Sequence, residues 1–93
     1  MTTASKRTLF NLGQIVIAAN AAVVLEPLDI LYGILRHASG DWGTICPHDA
    51  ALNDEAITAG DRIVSAYGTE ERSFWIITEA DRSATTILMP EDY

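Results

Sequence analysis

The residues of this chain best suited to chemistry are two histidines, one cysteine and a few arginines. Arg36-His37 is followed closely by Asp41-Trp42, the densest polar cluster in the sequence. An imidazole titrates near neutrality, so His37 could serve as general acid or base, with Asp41 orienting its ring. Arg62 and Arg82 could stabilise a phosphate in its transition state, and Thr85 could position it. The set His37, Arg62, Arg82 and Thr85 therefore describes a metal-independent phosphodiester cleavage. A plainer reading of the cluster carries more weight. Arg36 and His37 fall in the last turn of a helix, where cations meet the negative helix end, and Trp42 plugs an edge of the core.

The other candidates are weaker. Cys46 beside Pro47 and His48 invites a thiolate nucleophile, but activation needs a base within hydrogen-bond reach. A lone cysteine is more often a small buried apolar residue. His37, Cys46, His48 and Asp49 lack the paired short spacings of a zinc site, since neither CxxC nor HxxxH occurs. No metal and no cofactor is expected. Gly40-Asp41-Trp42-Gly43 lacks the Lys and Ser/Thr that follow in a phosphate-binding P-loop. Thr78 to Ser83 could hold a ligand, with Arg82 and Arg62 converging on a phosphate. A hydrogen-bonded turn is the preferred reading, because Thr, Asp and Ser bond to nearby backbone groups.

Positioning such side chains falls to elements legible in the spacing. Gln14 to Ala18 is rich in β-branched residues and reads as a strand. Asn20 can cap a short helix over Ala21 to Leu25; one helix across Gln14 to Leu25 is the competing reading, since alanine favours helix. Pro27 suits the first turn of a second helix, with Glu26 and Asp29 at its positive end. Leu28, Leu31, Tyr32 and Leu35 recur at helical spacing as one apolar stripe. Ile30 and Ile34 add a second, so this helix is expected to be covered on most sides. Gly40 ends it. Ser39 to Gly43 is a tight loop in which glycine permits positive φ. Pro47 opens a third helix, roughly Asp49 to Ala59, with Leu52, Ala56 and Ala59 on its buried side and Gly60 as the stop.

Beyond Gly60 the apolar period changes to two. Strands are expected at Arg62–Tyr67, Ser73–Thr78 and Ala84–Met89, joined by short turns and stopped by Pro90. Short connections imply antiparallel pairing. The expected fold is α+β: about three short helices packed on an antiparallel sheet, with a C-terminal three-stranded meander and an additional N-terminal strand. Residues 1–93 form a single domain, of which 1–7 are expected to be a flexible terminus.

Composition narrows the function classes. Ninety-three residues, 48% apolar and 20% charged, suit one globular core. Thirteen acidic against six basic side chains give a formal charge of −7. That field repels phosphates and argues against direct nucleic-acid binding. It suits a basic protein partner or imitation of nucleic acid. A single cysteine rules out an intramolecular disulfide, so a reducing, cytoplasmic setting is the simplest reading. The apolar run Ile15 to Leu25 is interrupted by Asn20 and is too short to span a membrane. Lys6 and Arg7 before it faintly suggest a signal peptide, but no small-residue cleavage site follows.

The pieces Arg36-His37…Gly40-Asp41-Trp42-Gly43, Ser65-Ala66-Tyr67 and Trp75-Ile76-Ile77-Thr78-Glu79-Ala80-Asp81-Arg82-Ser83…Thr85-Thr86 carry a resemblance. From Leu12 to Tyr93 the chain resembles a family of short plasmid-related bacterial proteins carried on plasmids and integrative elements. It departs from that pattern at Thr44-Ile45-Cys46-Pro47-His48, where relatives are more acidic, which weakens any shared role for Cys46 or His48. The resemblance brings no activity, but it implies a mobile-element setting. Small acidic proteins there are frequently inhibitors of host defence, of the anti-CRISPR or anti-restriction type. The leading expectation is an accessory protein that binds a protein partner, with Asp41, Trp42, Glu79 and Asp81 as contact residues. The alternative is a small ribonuclease of barnase- or RelE-like architecture using His37, Arg62, Arg82 and Thr85, an analogy at fold level. A third reading is a homodimer or larger oligomer anchored by Trp42, Trp75 and Tyr93.

Overall fold

A computed structural model describes residues 8–93; the expected flexible terminus, 1–7, lies outside the described residues. The elements are β1 (Gln14–Ile17), α1 (Ala19–Val24), α2 (Pro27–Ala38), α3 (Pro47–Ala59), β2 (Ile63–Tyr67), β3 (Phe74–Thr78) and β4 (Ala84–Leu88). Short 3-10 turns occupy Glu70–Arg72 and Pro90–Asp92. The fold is α+β, with helices on a four-stranded sheet of order β1-β4-β3-β2.

The C-terminal meander is antiparallel. Ile63 pairs with Thr78 and Tyr67 with Phe74, and Trp75 pairs with Leu88 and Thr78 with Thr85. Two-residue alternation sends Ile63, Ser65, Tyr67, Phe74, Ile76, Thr78, Thr85 and Ile87 to one buried face. The N-terminal strand joins differently from the expectation of an antiparallel sheet. β1 runs parallel to β4, from Gln14 opposite Ala84 to Ile17 opposite Ile87. The chain between them carries three helices and two strands, more than the dozen residues a parallel crossover requires.

Two apolar clusters fill the space under the helices. One joins Ala21, Leu25 and Ile30 to Tyr67, Phe74, Ile76, Ile87 and Met89. The other joins Phe10, Trp42, Ala56 and Ile63. Gly33 lets α2 lie close to the sheet: a Cβ there would stand 3.0 Å from the Phe74 ring and 3.2 Å from the Ile76 side chain. Gly43 adopts a φ of 79°, and a Cβ on it would overlap the Ala66 carbonyl oxygen. This close approach lets the loop after α2 bridge to β2, where Ala66 N–H donates to Trp42 and Thr44 N–H to Ala66.

Three local expectations need correction. α1 starts at Ala19 and its cap position is Ala18, which has no side-chain cap, so Asn20 is not the cap. Ala18 N–H instead extends the parallel ladder to the Ile87 carbonyl, and the helix follows at once. In α3 the buried residues are Asn53 and Ala56, whereas Leu52 is half-exposed and Ala59 exposed. Asn53 is drawn inward because its amide serves the outer edge of β2, donating to the Val64 carbonyl at 2.8 Å and accepting from the Val64 N–H at 3.2 Å. The largest correction concerns α2. Ile30, Gly33, His37 and Ala38 are its buried residues, and the stripe Leu28, Leu31, Tyr32 and Leu35 faces outward. Among the described residues no helix is long and apolar enough to cross a membrane.

Candidate functional site

His37 lies on the inner face of α2 and has no solvent exposure. Its Nδ1 is 2.5 Å from the Ser65 hydroxyl and its Nε2 is 2.9 Å from Thr78 Oγ1. Thr78 is in turn 2.7 Å from Thr85 Oγ1, which donates to the Leu12 carbonyl at 2.7 Å. The direction of every bond follows from counting protons. Thr85 has one hydroxyl proton and gives it to Leu12, so Thr78 must donate to Thr85. Thr78 then accepts from His37 Nε2–H, and Nδ1 accepts from Ser65. The ring is the neutral Nε2–H tautomer. Burial lowers its pKa to about 4, in keeping with that state. Rings of Phe10 and Trp42 stand edge-on to it, at centroid distances of 5.3 and 5.9 Å. No buried side-chain polar atom among the described residues lacks a partner. This chain therefore ties α2 to three elements, with no open side for a substrate.

The four residues of the cleavage reading do not share a pocket. His37 and Thr85 belong to the buried chain. Arg82, at a φ of 61°, donates to the carbonyls of Asp61 at 2.7 Å, Glu79 at 3.2 Å, Ala80 at 3.2 Å and Ala56 at 2.8 Å. It thereby places a cation at the carbonyl end of α3, where the helix dipole favours one. Arg62 lies on the opposite face of the sheet, beside Val64, Trp75, Ile77 and Tyr93. Its guanidinium reaches the Tyr93 hydroxyl at 3.4 Å. Cys46, expected as a small buried residue, is exposed at the start of α3, as is His48, and no group of three or more His, Cys, Asp or Glu side chains among the described residues is placed to hold a metal.

The four expected contact residues separate as well. Asp41 is exposed and meets Arg36 through two bonds, Nε at 2.7 Å and Nη2 at 3.1 Å. The bond to Asp41 holds the Arg36 pKa above its ordinary value, and the guanidinium also lies 4.8 Å from the Tyr67 ring. Tyr67 O–H donates to the Asp41 carbonyl at 2.6 Å, and burial pushes this phenol up to about 12. Trp42 is buried, with its Nε1–H donating to Asp54 at 3.0 Å. Glu79 and Asp81 are exposed in the β3–β4 turn, beyond the Ile63 end of β2, while the Asp41–Gly43 loop sits at the Ala66 end. Asp81 accepts the Ser83 N–H at 3.0 Å, and its bonds to Ser83 hold its pKa below the usual value.

The outer face of α2 is the feature that sequence reasoning missed. Leu28 is 76% exposed, Leu31 52%, Tyr32 65% and Leu35 58%. Tyr32 borders three adjoining hollows. One, of about 340 Å³, lies over Leu28, Leu31 and Leu35. A second, of about 280 Å³, opens towards Tyr67, Arg72 and Phe74. A third, of about 210 Å³, ends at Ser39 and Asp41. Asp41 thus belongs to this face, and Trp42, Glu79 and Asp81 do not line it. The available signal was the excess of apolar positions on α2. A helix apolar on most sides is either sunk in a core or docked against something, and a domain of this size has little core to sink it in.

Comparison of the chain with protein-family models, curated proteins and solved structures finds no match.

Proposed function

We propose that this protein is a non-enzymatic binding domain whose outer α2 face docks a macromolecular partner, most simply another protein. The observation that carries this reading is the run Leu28, Leu31, Tyr32 and Leu35, more than half exposed on one helix face. Single exposed leucines need no explanation; a contiguous apolar stripe with polar groups at its rim is the usual mark of an interaction site. Tyrosine at the centre of such a patch supplies large contact area at small entropic cost. The sequence resemblance implies a mobile-element setting, and the role proposed there is that of an accessory protein that inhibits a CRISPR or restriction complex in the cytoplasm. In that mechanism acidic side chains beside the docked helix compete with nucleic acid for a basic groove on the partner.

The ribonuclease reading gains nothing from the geometry, because the imidazole it needs is sealed in a closed hydrogen-bond chain. The test is co-elution of the purified protein with candidate defence complexes, repeated with Leu28→Ser/Leu35→Ser. The wild type is expected to co-elute and the double variant to elute alone, with unchanged far-UV circular dichroism. Co-elution that survives the double substitution would remove α2 from the interface.

A further inference from the structure

Resting on the docking reading above, we infer that the occupant of the α2 face is a cationic amphipathic helix. The apolar requirement comes from geometry. Leu28 to Leu35 covers two helical turns, a length of roughly 10 Å, and its ridge of side chains fits the groove of a second helix. The cationic requirement comes from charge. Glu26 and Asp29 flank the N-terminal end of the stripe, and their carboxylates have no hydrogen-bond or ion-pair partner among the described residues. Asp29 borders both the hollow over the leucines and the one beside Arg72. At the other end Arg36 is committed to Asp41, so that pair presents no net charge. Among the described residues Arg72 is the remaining cation near this face, and it stands across the second hollow with Glu71 beside it in the chain. Among the described residues the balance around the stripe is acidic, within a chain of formal charge −7.

The same balance disfavours a second copy. Two chains of charge −7 repel, and among the described residues the cation that α2 itself presents, Arg36, is already paired with Asp41. Salt separates the two occupants: screening weakens a cationic helix and strengthens self-association of like-charged copies.

The experiment uses the full chain and fluorescence anisotropy with three labelled 18-residue peptides. The first has leucines at helical spacing with lysines on the flanks. The second keeps the leucines and replaces lysine by glutamate. The third keeps the lysines and scrambles the leucines. The first is expected to bind, to weaken with salt, and to lose about tenfold in affinity with either Leu31→Ser or Tyr32→Ser. Glu26→Gln/Asp29→Asn is expected to cost about threefold and to flatten the salt dependence. Equal binding of the glutamate peptide would overturn the cationic requirement while leaving the docking face intact. Binding of the lysine peptides that ignores Leu31→Ser and Tyr32→Ser would overturn both, since charge alone would then explain it. Absence of binding by all three would also overturn the inference. So would a dimer in sedimentation velocity that tightens with salt and dissociates with Leu31→Ser, because it would give the face to a second copy.

Discussion

The two faces of α2 invert the ordinary rule of burial. The inner face hides an imidazole completely, and the outer face leaves three leucines and a tyrosine more than half in water. Each leucine left outside forgoes on the order of 2 kcal/mol of burial free energy. The difference shows that shape and hydrogen bonding chose the packed face. Gly33 allows the helix to sit on Phe74 and Ile76, which a stripe of leucines would hold away. The polar atoms of His37 are tolerated there because Ser65 and Thr78 stand opposite them on the sheet. A buried polar group costs little when every bond is made and much when one is missing.

Breaking the inner face should produce the largest effect. His37→Ala removes a fully buried ring, strands the Ser65 hydroxyl and leaves Thr78 with its bond to Thr85 alone. Cavity formation and unmet hydrogen bonds together are expected to cost about 3–5 kcal/mol. Urea denaturation at neutral pH reads this directly. A loss below about 1 kcal/mol would mean that the polar chain does not hold α2 to the sheet.

Acid should attack the same face. The folded pKa of His37, about 4, lies below the ordinary 6.5, so between those values the unfolded chain binds a proton that the folded one does not. The resulting stability is present above pH 6.5, declines as pH falls, and is gone once pH passes below the folded value. The full loss is about 3 kcal/mol, from 1.36 kcal/mol per pKa unit. Nitrogen-15 spectra of the imidazole at pH 5 should still show the neutral Nε2–H form. A doubly protonated ring at that pH in the folded protein would contradict the assigned bond directions.

Much of the scaffold was legible in the sequence, for physical reasons that also explain the failures. Period-two spacing after Gly60 located β2, β3 and β4, because a half-buried strand alternates by geometry. Pro27, Pro47 and Gly60 marked helix ends through backbone constraints that act locally. The parallel pairing of β1 with β4 was not legible, since strand direction depends on where a long connection returns. Nor was the exposed stripe. Leu28, Leu31, Tyr32 and Leu35 have the spacing of a core face, and Ile30 with Ile34 has it too. Periodicity cannot rank two apolar faces of one helix; the deciding residues were Gly33 and His37, whose partners Phe74, Ser65 and Thr78 lie far along the chain. Among the expected contact residues, Asp41 was placed on the exposed face by its position after the helix, while Trp42 turned inward to Phe10 and Asp54.

The smallest expected effect completes the contrast. Leu31→Ser/Tyr32→Ser replaces two large apolar side chains on the same helix that His37 anchors. Were they core residues, each would cost several kcal/mol. Both are more than half exposed, so the folded chain already leaves most of their surface in water, as the unfolded chain does. The loss in unfolding free energy is therefore expected to be only about 1 kcal/mol, to which the poorer helix propensity of serine relative to leucine adds a few tenths. Chemical denaturation of the double variant beside His37→Ala makes the comparison on one scale. A loss of 2 kcal/mol or more would show that this stripe is packed within the monomer, and the docking face would then fall together with the inference drawn from it.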